Sequence, residues 1–534
     1  MTASHDIGNQ APAGPRAGPS AGDGATPPVG DGATPPVGDG AAPPVGDGAA
    51  PPVEKNELAR RSVTGFEVFG QSLAATGPTI SIGTLAVVYL IAGQGTMWSY
   101  ILATVVAVLV GYSIAQFARR TAAAGSLYTY TASGLGRSTA FAGGWGLIFG
   151  YVLMAAACLA GAALYFGAFL AKLGLNGESR PWQLPLLVVF LVPTVAILIR
   201  GIRISTRVAV TLEIISLVAI SVLLIALFVH YGARFDTGQF KATGSSATGI
   251  ALGTVVAVSG FVGFESSSSL GIEARSPHRS IPRAILFTVL AVGVLYIVAA
   301  YGEVLGFGSA ASLASSSAPL NHLSATAGVS WLAYYLDLAV TISAVACAAA
   351  CLNAAARGVY SLGREDILPG DFGRSHSKFK TPHVAIYALA PVVGAVPFVM
   401  AAYGTSPLHT LAYVDTVATF GYLVAYLLVS IAVPFFLARR KALTPLPVIV
   451  TVLAAAAIGY VLYKTLIPVP PGPYNTFPYI FLAWIVIGLA WYLALKVRDP
   501  ARAARLGTLQ ERETADLESR IAAELIPETE SSPS

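Results

Sequence analysis

The sequence predicts an all-α integral membrane fold of 12 transmembrane helices: a five-plus-five inverted repeat with broken first and sixth helices, plus two extra helices at the end. Three observations carry this. Of 534 residues, 55% are hydrophobic and only 11% charged, whereas a soluble chain carries roughly a quarter charged. Twelve apolar runs are each long enough to cross a bilayer, which takes about 20 helical residues. Lys and Arg are rich and poor in alternate loops, as topology requires.

Taken in order, residues 1–64 read as a disordered cytoplasmic N-terminal tail. Between 22 and 53 an eight-residue unit occurs four times, GDGATPPV twice and GDGAAPPV twice. Gly, Pro, Ala and Asp in such a unit bury too little apolar surface to offset chain entropy. The tail also lacks the basic start and apolar core of a signal peptide.

Residues 65–497 hold the spans, at about 66–92, 96–118, 140–172, 182–200, 207–231, 248–272, 283–307, 329–358, 383–403, 407–438, 445–466 and 476–496. The stretch 118–139 is too polar to cross and reads as a loop or short re-entrant piece. Residues 498–534 read as a cytoplasmic C-terminal tail, opening with a solvated amphipathic helix after Pro500.

Twenty-two Lys and Arg, from Lys55 through Arg119, Arg203, Arg275, Arg357 and Arg439 to Arg498, fall on one side. Five (Lys172, Arg180, Arg234, Lys241 and Lys464) fall on the other. That bias places both termini in the cytoplasm and favours an even number of spans. The formal charge of +5 is spread over these short loops, so it does not make a nucleic-acid surface.

An even topology lets spans one to five and six to ten be related by inversion. The first span of each half is interrupted. In the first, Thr76, Gly77, Pro78, Thr79 and Ser81 cluster at mid-depth; Pro78 removes a backbone donor and Gly77 tolerates unusual dihedrals. In the sixth, Ser259, Gly260, Phe261, Gly263 and Phe264 break an apolar run. One break is an ordinary kink; two at corresponding positions point to a binding site.

A broken helix leaves amides bare at the start of its outer half and carbonyls bare at the end of its inner half. Amides around Thr79, Ile80 and Ser81 therefore suit a carboxylate, and carbonyls around Ser259, Gly260 and Phe261 suit an ammonium. The expected partner is a small zwitterion.

Three stretches resemble a known family. SGFVGFESSSSLGIEARSPHRSIPRA, residues 259–284, is similar to the sixth span and following loop of the amino acid, polyamine and organocation (APC) superfamily. AGSLYTYTASGLG followed by GGW resembles its AGG-Y-Y pattern and the GW that opens its third helix. LNAAARGVYSLGREDILPGDFGRSHSKFKTPHVA resembles its run N-x3-R-x-x-Y-x-x-x-R-D/E-x-x-L-P followed by TP, the most specific of the three. The resemblance extends from about residue 66 to about 390. It implies an amino acid permease of the cell membrane, a symporter or antiporter working by alternating access. It also implies the same division of labour between the two breaks.

Intramembrane carboxylates are costly and by default functional. Glu213 lies near the inner end of the fifth span, and Glu265 just below the sixth break, where it reads as an inner gate or as a structural partner of the broken backbone. Glu303 reads first as an interfacial anchor. Asp337 and Asp415 face an outer vestibule or pair with hydroxyls. The coupling ion is H+ or Na+. The fifth span has no lysine of the kind some proton-coupled relatives carry, which leaves protonation of Glu213 or Glu265, a sodium site using Thr341 and Ser343, or exchange without an ion. Phe261 and Phe264 flank the sixth break as gating candidates, and Tyr151 and Tyr422 are cavity candidates.

Cys158, Cys347 and Cys351 lie within apolar spans and read as packing residues, with no metal site or cofactor indicated. Ser266 to Ser269 lack a base and a G-x-S-x-G context, so the chain is not read as an enzyme. Two alternatives remain: an amine or polyamine carrier, which needs an extra acidic residue facing the cavity, and a membrane nutrient sensor that binds without transporting. The sequence does not fix the oligomeric state.

Overall fold

Small residues set how this bundle packs. Lipid tails are as apolar as leucine, so membrane helices associate by close backbone approach rather than by hydrophobic burial. Helix α6 (Arg137–Lys172) and helix α14 (Pro407–Arg439) meet through Gly146, Gly150 and Gly421. A Cβ on Gly421 would lie 2.2 Å from the Gly146 carbonyl oxygen, so nothing larger than hydrogen fits. Helix α12 (Leu332–Arg364) packs against α6 and α8 (Ile202–His230), and α10 (Pro277–Phe307) packs against α4 (Thr96–Ala118).

The structure is a computed structural model that describes residues 58–508, apart from 84, 123–124, 178, 233–236, 242–244, 308–318 and 470. The octapeptide repeats and the chain beyond 508 lie outside the described residues. Within these the protein is helical, with a single isolated bridge, Val63 to Ala274, in place of any sheet.

Ten helices among the described residues are long and apolar enough to cross a membrane. The two expected spans not among them as separate helices are the first and the sixth, and the reason is their breaks. The first is divided into α1 (Gly65–Thr76), α2 (Pro78–Ile82) and α3 (Leu85–Ala92), the last running nearly continuously into α4. The sixth keeps one short helix, α9 (Ala247–Ser259), followed by turns and a 3₁₀ segment over Ser266–Leu270. The polar stretch 118–139 contains α5 (Leu127–Leu135), a short helix that does not span, buried between α6 and α14.

The remaining helices are α7 (Arg180–Ile199), α11 (Pro319–Thr326), α13 (His383–Ala402), α15 (Pro445–Leu466), α16 (Phe477–Arg498) and α17 (Pro500–Ala503). Helices α7, α8, α15 and α16 expose many large apolar side chains, among them Val192, Ile225, Leu446 and Ile487. A belt of that kind faces lipid.

One expectation is corrected here. The start of the C-terminal segment is docked rather than solvated: Ala503 and Leu506 are buried, Arg502 donates to the Asp366 carbonyl at 2.6 Å, and Gly507 N–H donates to Glu365 at 2.8 Å. Its apolar residues have a protein surface to cover, which a solvated helix would not.

Candidate functional site

Gly77 ends α1 and starts α2 with φ 56° and ψ 57°, a left-handed conformation that costs other residues roughly 1–2 kcal/mol. A side chain there would also strike Ile80 and Cys347, at 2.9 and 3.1 Å from a Cβ. Pro78 follows as the first residue of α2, where its missing N–H costs nothing. The Ala75 carbonyl, freed by the break, accepts from the Cys347 thiol at 3.2 Å.

Of the three amides expected to hold a carboxylate, one, that of Thr79, meets a carboxylate of the protein itself. Thr79 N–H donates to Glu213 Oε1 at 3.3 Å, and Ser343 donates to the same oxygen at 3.0 Å while accepting from Ile80 N–H at 3.3 Å. Ser81 N–H bonds within the turn to the Gly77 carbonyl at 3.1 Å. Helices α8 and α12 thus clasp the start of α2 through Glu213 and Ser343. Glu213 is fully buried, and its Oε2 has no hydrogen-bond partner among the described residues.

The sixth break is similarly lined. Gly263 has φ 97°, and its N–H donates to the Tyr426 hydroxyl at 3.2 Å. The Gly260 carbonyl accepts from the Tyr296 hydroxyl at 2.7 Å, and the Phe261 ring meets Tyr296 edge-on at 5.1 Å. Glu265 is fully buried, with Oε1 accepting from Tyr151 at 2.7 Å and Oε2 accepting from Tyr426. Phe264 packs on Tyr426 at 5.4 Å, and Tyr422 meets Tyr151 edge-on.

The two breaks abut. A Cβ on Gly263 would lie 2.4 Å from the Ala75 carbonyl oxygen, and one on Gly260 would lie 3.7 Å from the Ser81 Cβ. Ser81, Ser259 and Gly260 remain partly exposed, while Thr76, Thr79, Ile80, Phe261, Gly263 and Phe264 are buried. Thr341 does not join this group through its hydroxyl, which bonds back to the Asp337 carbonyl of its own helix at 2.7 Å. That is the common fate of a helical hydroxyl.

Below the breaks, the end of the bundle rich in Arg is closed by a buried network. Arg357 grips Glu273 with two nitrogens, at 2.7 and 3.0 Å, and donates to the Asn353 side chain. Asn353 donates to Gln71 of α1 at 3.0 Å, and Ser266 donates to the Gln71 carbonyl at 3.1 Å. The backbone at Val63 pairs with that at Glu273 and Arg275, each bond 2.9 Å. The start of the first span and the end of the sixth are therefore tied to each other and to α12.

At the opposite end, Asp337 accepts from Lys172 at 2.5 Å and from Asn321 of α11 at 3.0 Å. Glu303 is no interfacial anchor: it is 1% exposed, and neither carboxylate oxygen has a hydrogen-bond partner among the described residues. Asp415 keeps partial exposure.

Sequence reasoning missed Tyr296, Tyr426, Gln71 and the Glu273 partner of Arg357. A tyrosine in a bundle is packing unless a hydroxyl partner is known, and these partners lie far away in the chain. Arg357 and Asn353 were visible only as motif positions.

Two discontinuous helices meeting at mid-bundle, inside ten apolar spans, define a multi-pass membrane transporter. The sequence profile described as amino acid permease matches residues 66–490, and the chain belongs to that family, within the APC superfamily. It is similar to the branched-chain amino acid permease BcaP of Bacillus subtilis, 27% identical over 443 residues that cover 79% of this chain and 89% of the relative. It is 26% identical over 394 residues to a methylthioribose transporter of the same organism, covering 71% and 82%. The low-affinity putrescine importer PlaP of Escherichia coli K12 is 25% identical over 380 residues, covering 70% and 80%. The chain is a transporter and not an enzyme.

Proposed function

We propose that this protein is a secondary active permease moving amino acids across the cell membrane by alternating access, coupled to protons. It would have both termini in the cytoplasm, and the Arg-rich end would be the inner one. The observation that supports the reading is the abutting of the two breaks, with Gly263 against the Ala75 carbonyl and Gly260 beside Ser81.

In this reading a substrate carboxylate takes the Thr79 and Ile80 amides from Glu213 and Ser343, and its ammonium goes to the carbonyls around Ser259, Gly260 and Phe261. Tyr296 and Tyr426 hold the broken backbone until then. The Glu265–Tyr151–Tyr426 cluster and the Arg357–Glu273 pair act as inner closures, and Phe261 and Phe264 act beside them. A putrescine importer among the relatives keeps an amine carrier in view. Asp337 is a poor candidate for the extra acid that carrier needs, because Lys172 and Asn321 already occupy it.

Uptake into proteoliposomes, screened across amino acids and diamines with sodium and pH gradients imposed separately, tests the proposal. Flux of an amino acid driven by a pH gradient supports it. Flux confined to diamines replaces it with the amine reading, and saturable binding without flux replaces it with the sensor.

A further inference from the structure

Three of the buried carboxylates, Glu213, Glu265 and Glu303, form no ion pair among the described residues, and they are not equivalent. Both oxygens of Glu265 receive tyrosine hydroxyls, and one oxygen of Glu213 receives two donors. Glu303 receives none on either oxygen among the described residues and is 1% exposed. Burying an ionised carboxylate without donors costs several kcal/mol, so this packing requires a cation to enter with the group.

The setting specifies which cation. Glu303 sits on the buried face of α10 with Tyr296, Ala299, Ala300 and Phe307. It is two turns, about 10 Å, beyond Tyr296 on the side away from the Arg-rich end. Tyr100 of α4 and Tyr165 of α6 lie within its electrostatic reach. Leu224 and Leu227 of α8 pack on Gly302, the residue before it, and His322 of α11 stacks on Phe307 one turn farther out. No Lys, Arg or His among the described residues pairs with it. A metal ion would need several oxygen ligands, which an acid without polar contacts does not have; a proton needs none.

We propose that Glu303 is a proton-binding site whose occupancy licenses closure of the extracellular pathway. With that pathway open, the carboxylate meets water and can ionise; closing it buries the group and holds the proton. External acid therefore favours the closed form, and raising the external pH favours the open one. Because α10 also holds the sixth break through Tyr296, the proton reports directly on the substrate site. The proposal rests on the alternating-access reading but not on which solute is carried.

The test is labelling of Ser81→Cys, between the two breaks, by a membrane-impermeant maleimide applied outside proteoliposomes. The unsubstituted chain, whose three cysteines are buried, serves as control. Labelling of Ser81→Cys, expressed throughout as its ratio at each pH to labelling of an exposed Tyr403→Cys so that thiol ionisation cancels, should rise by about tenfold or more from about pH 5 to about pH 8, since one linked proton permits up to tenfold per pH unit. Adding Glu303→Gln should leave labelling low and flat across that range, and Glu303→Asp should restore the pH dependence. The proposal is overturned if Ser81→Cys labelling does not depend on pH, if Glu303→Gln keeps the same dependence, or if sodium at fixed pH closes the pathway as acid does. The first and third arms need no change at Glu303, so misfolding of that variant cannot shield the idea.

Discussion

Replacing Arg357 by methionine tests the inner closure. The guanidinium is fully buried and makes two bonds to Glu273 and another to Asn353. Methionine fills much of the same space but leaves the Glu273 carboxylate buried with no countercharge, a change that costs about 3–5 kcal/mol. In the proposed alternating-access cycle the cost falls on conformations in which the pair is shut, because an inward-open form would let water reach Glu273. Arg357→Met should therefore lower the thermal unfolding midpoint by roughly 5 °C and shift the protein toward inward-open forms by about a hundredfold or more. Net uptake should fall to a small fraction of the parent's. Adding Glu273→Gln removes the stranded charge and should recover most of the lost stability. Differential scanning fluorimetry and proteoliposome uptake read both effects. A single variant as stable as the parent, or a double variant worse than the single, would refute the reasoning.

Gly263→Ala places a Cβ 2.4 Å from the Ala75 carbonyl oxygen at φ 97°; transport should be abolished while the protein remains monodisperse in detergent, and normal uptake would show that the breaks do not need to touch. Glu213→Gln removes repulsion between two carboxylates at the Thr79 amide, on the order of 1–4 kcal/mol at about 4 Å, so KM should drop about tenfold for amino acids and stay put for putrescine; an equal change for both sinks the displacement idea. Gly421→Val forces α6 and α14 apart at their closest approach, and a loss below about 1 kcal/mol in a denaturation series would contradict tight packing there. Arg502→Ala with Arg505→Ala frees the segment after Pro500 from Asp366; limited proteolysis should cut near 500–508 several times faster than in the parent, and unchanged cutting would mean the docking holds without them.

What the sequence made legible was whatever depends on backbone chemistry and on span position. Gly77, Pro78, Gly260 and Gly263 announced the breaks because glycine and proline act locally. Rotation of one helix against another is a different matter. Glu265 was read as a gate or a structural partner, but its two tyrosines come from α6 and α14, the latter 161 residues away. Glu303 was read as an anchor from its depth alone, since no periodicity argument says which way a residue near a span's end points. Asp337 could have been matched to Lys172 only with the packing of α6 against α12 in hand. The amides of Thr79, Ile80 and Ser81 were singled out from the break alone; the acceptors that the first two meet come from α8 and α12 and were invisible, and the third bonds back to Gly77.

The rung of main-chain bonds joining Arg61 and Val63 to Ile272, Glu273 and Arg275 has a mechanical meaning. Two levers bolted together near their handles cannot be swung one at a time. Any pull on the chain just ahead of α1 is delivered equally to the stretch after the sixth break, so a binder seated on either would be expected to stall both at once.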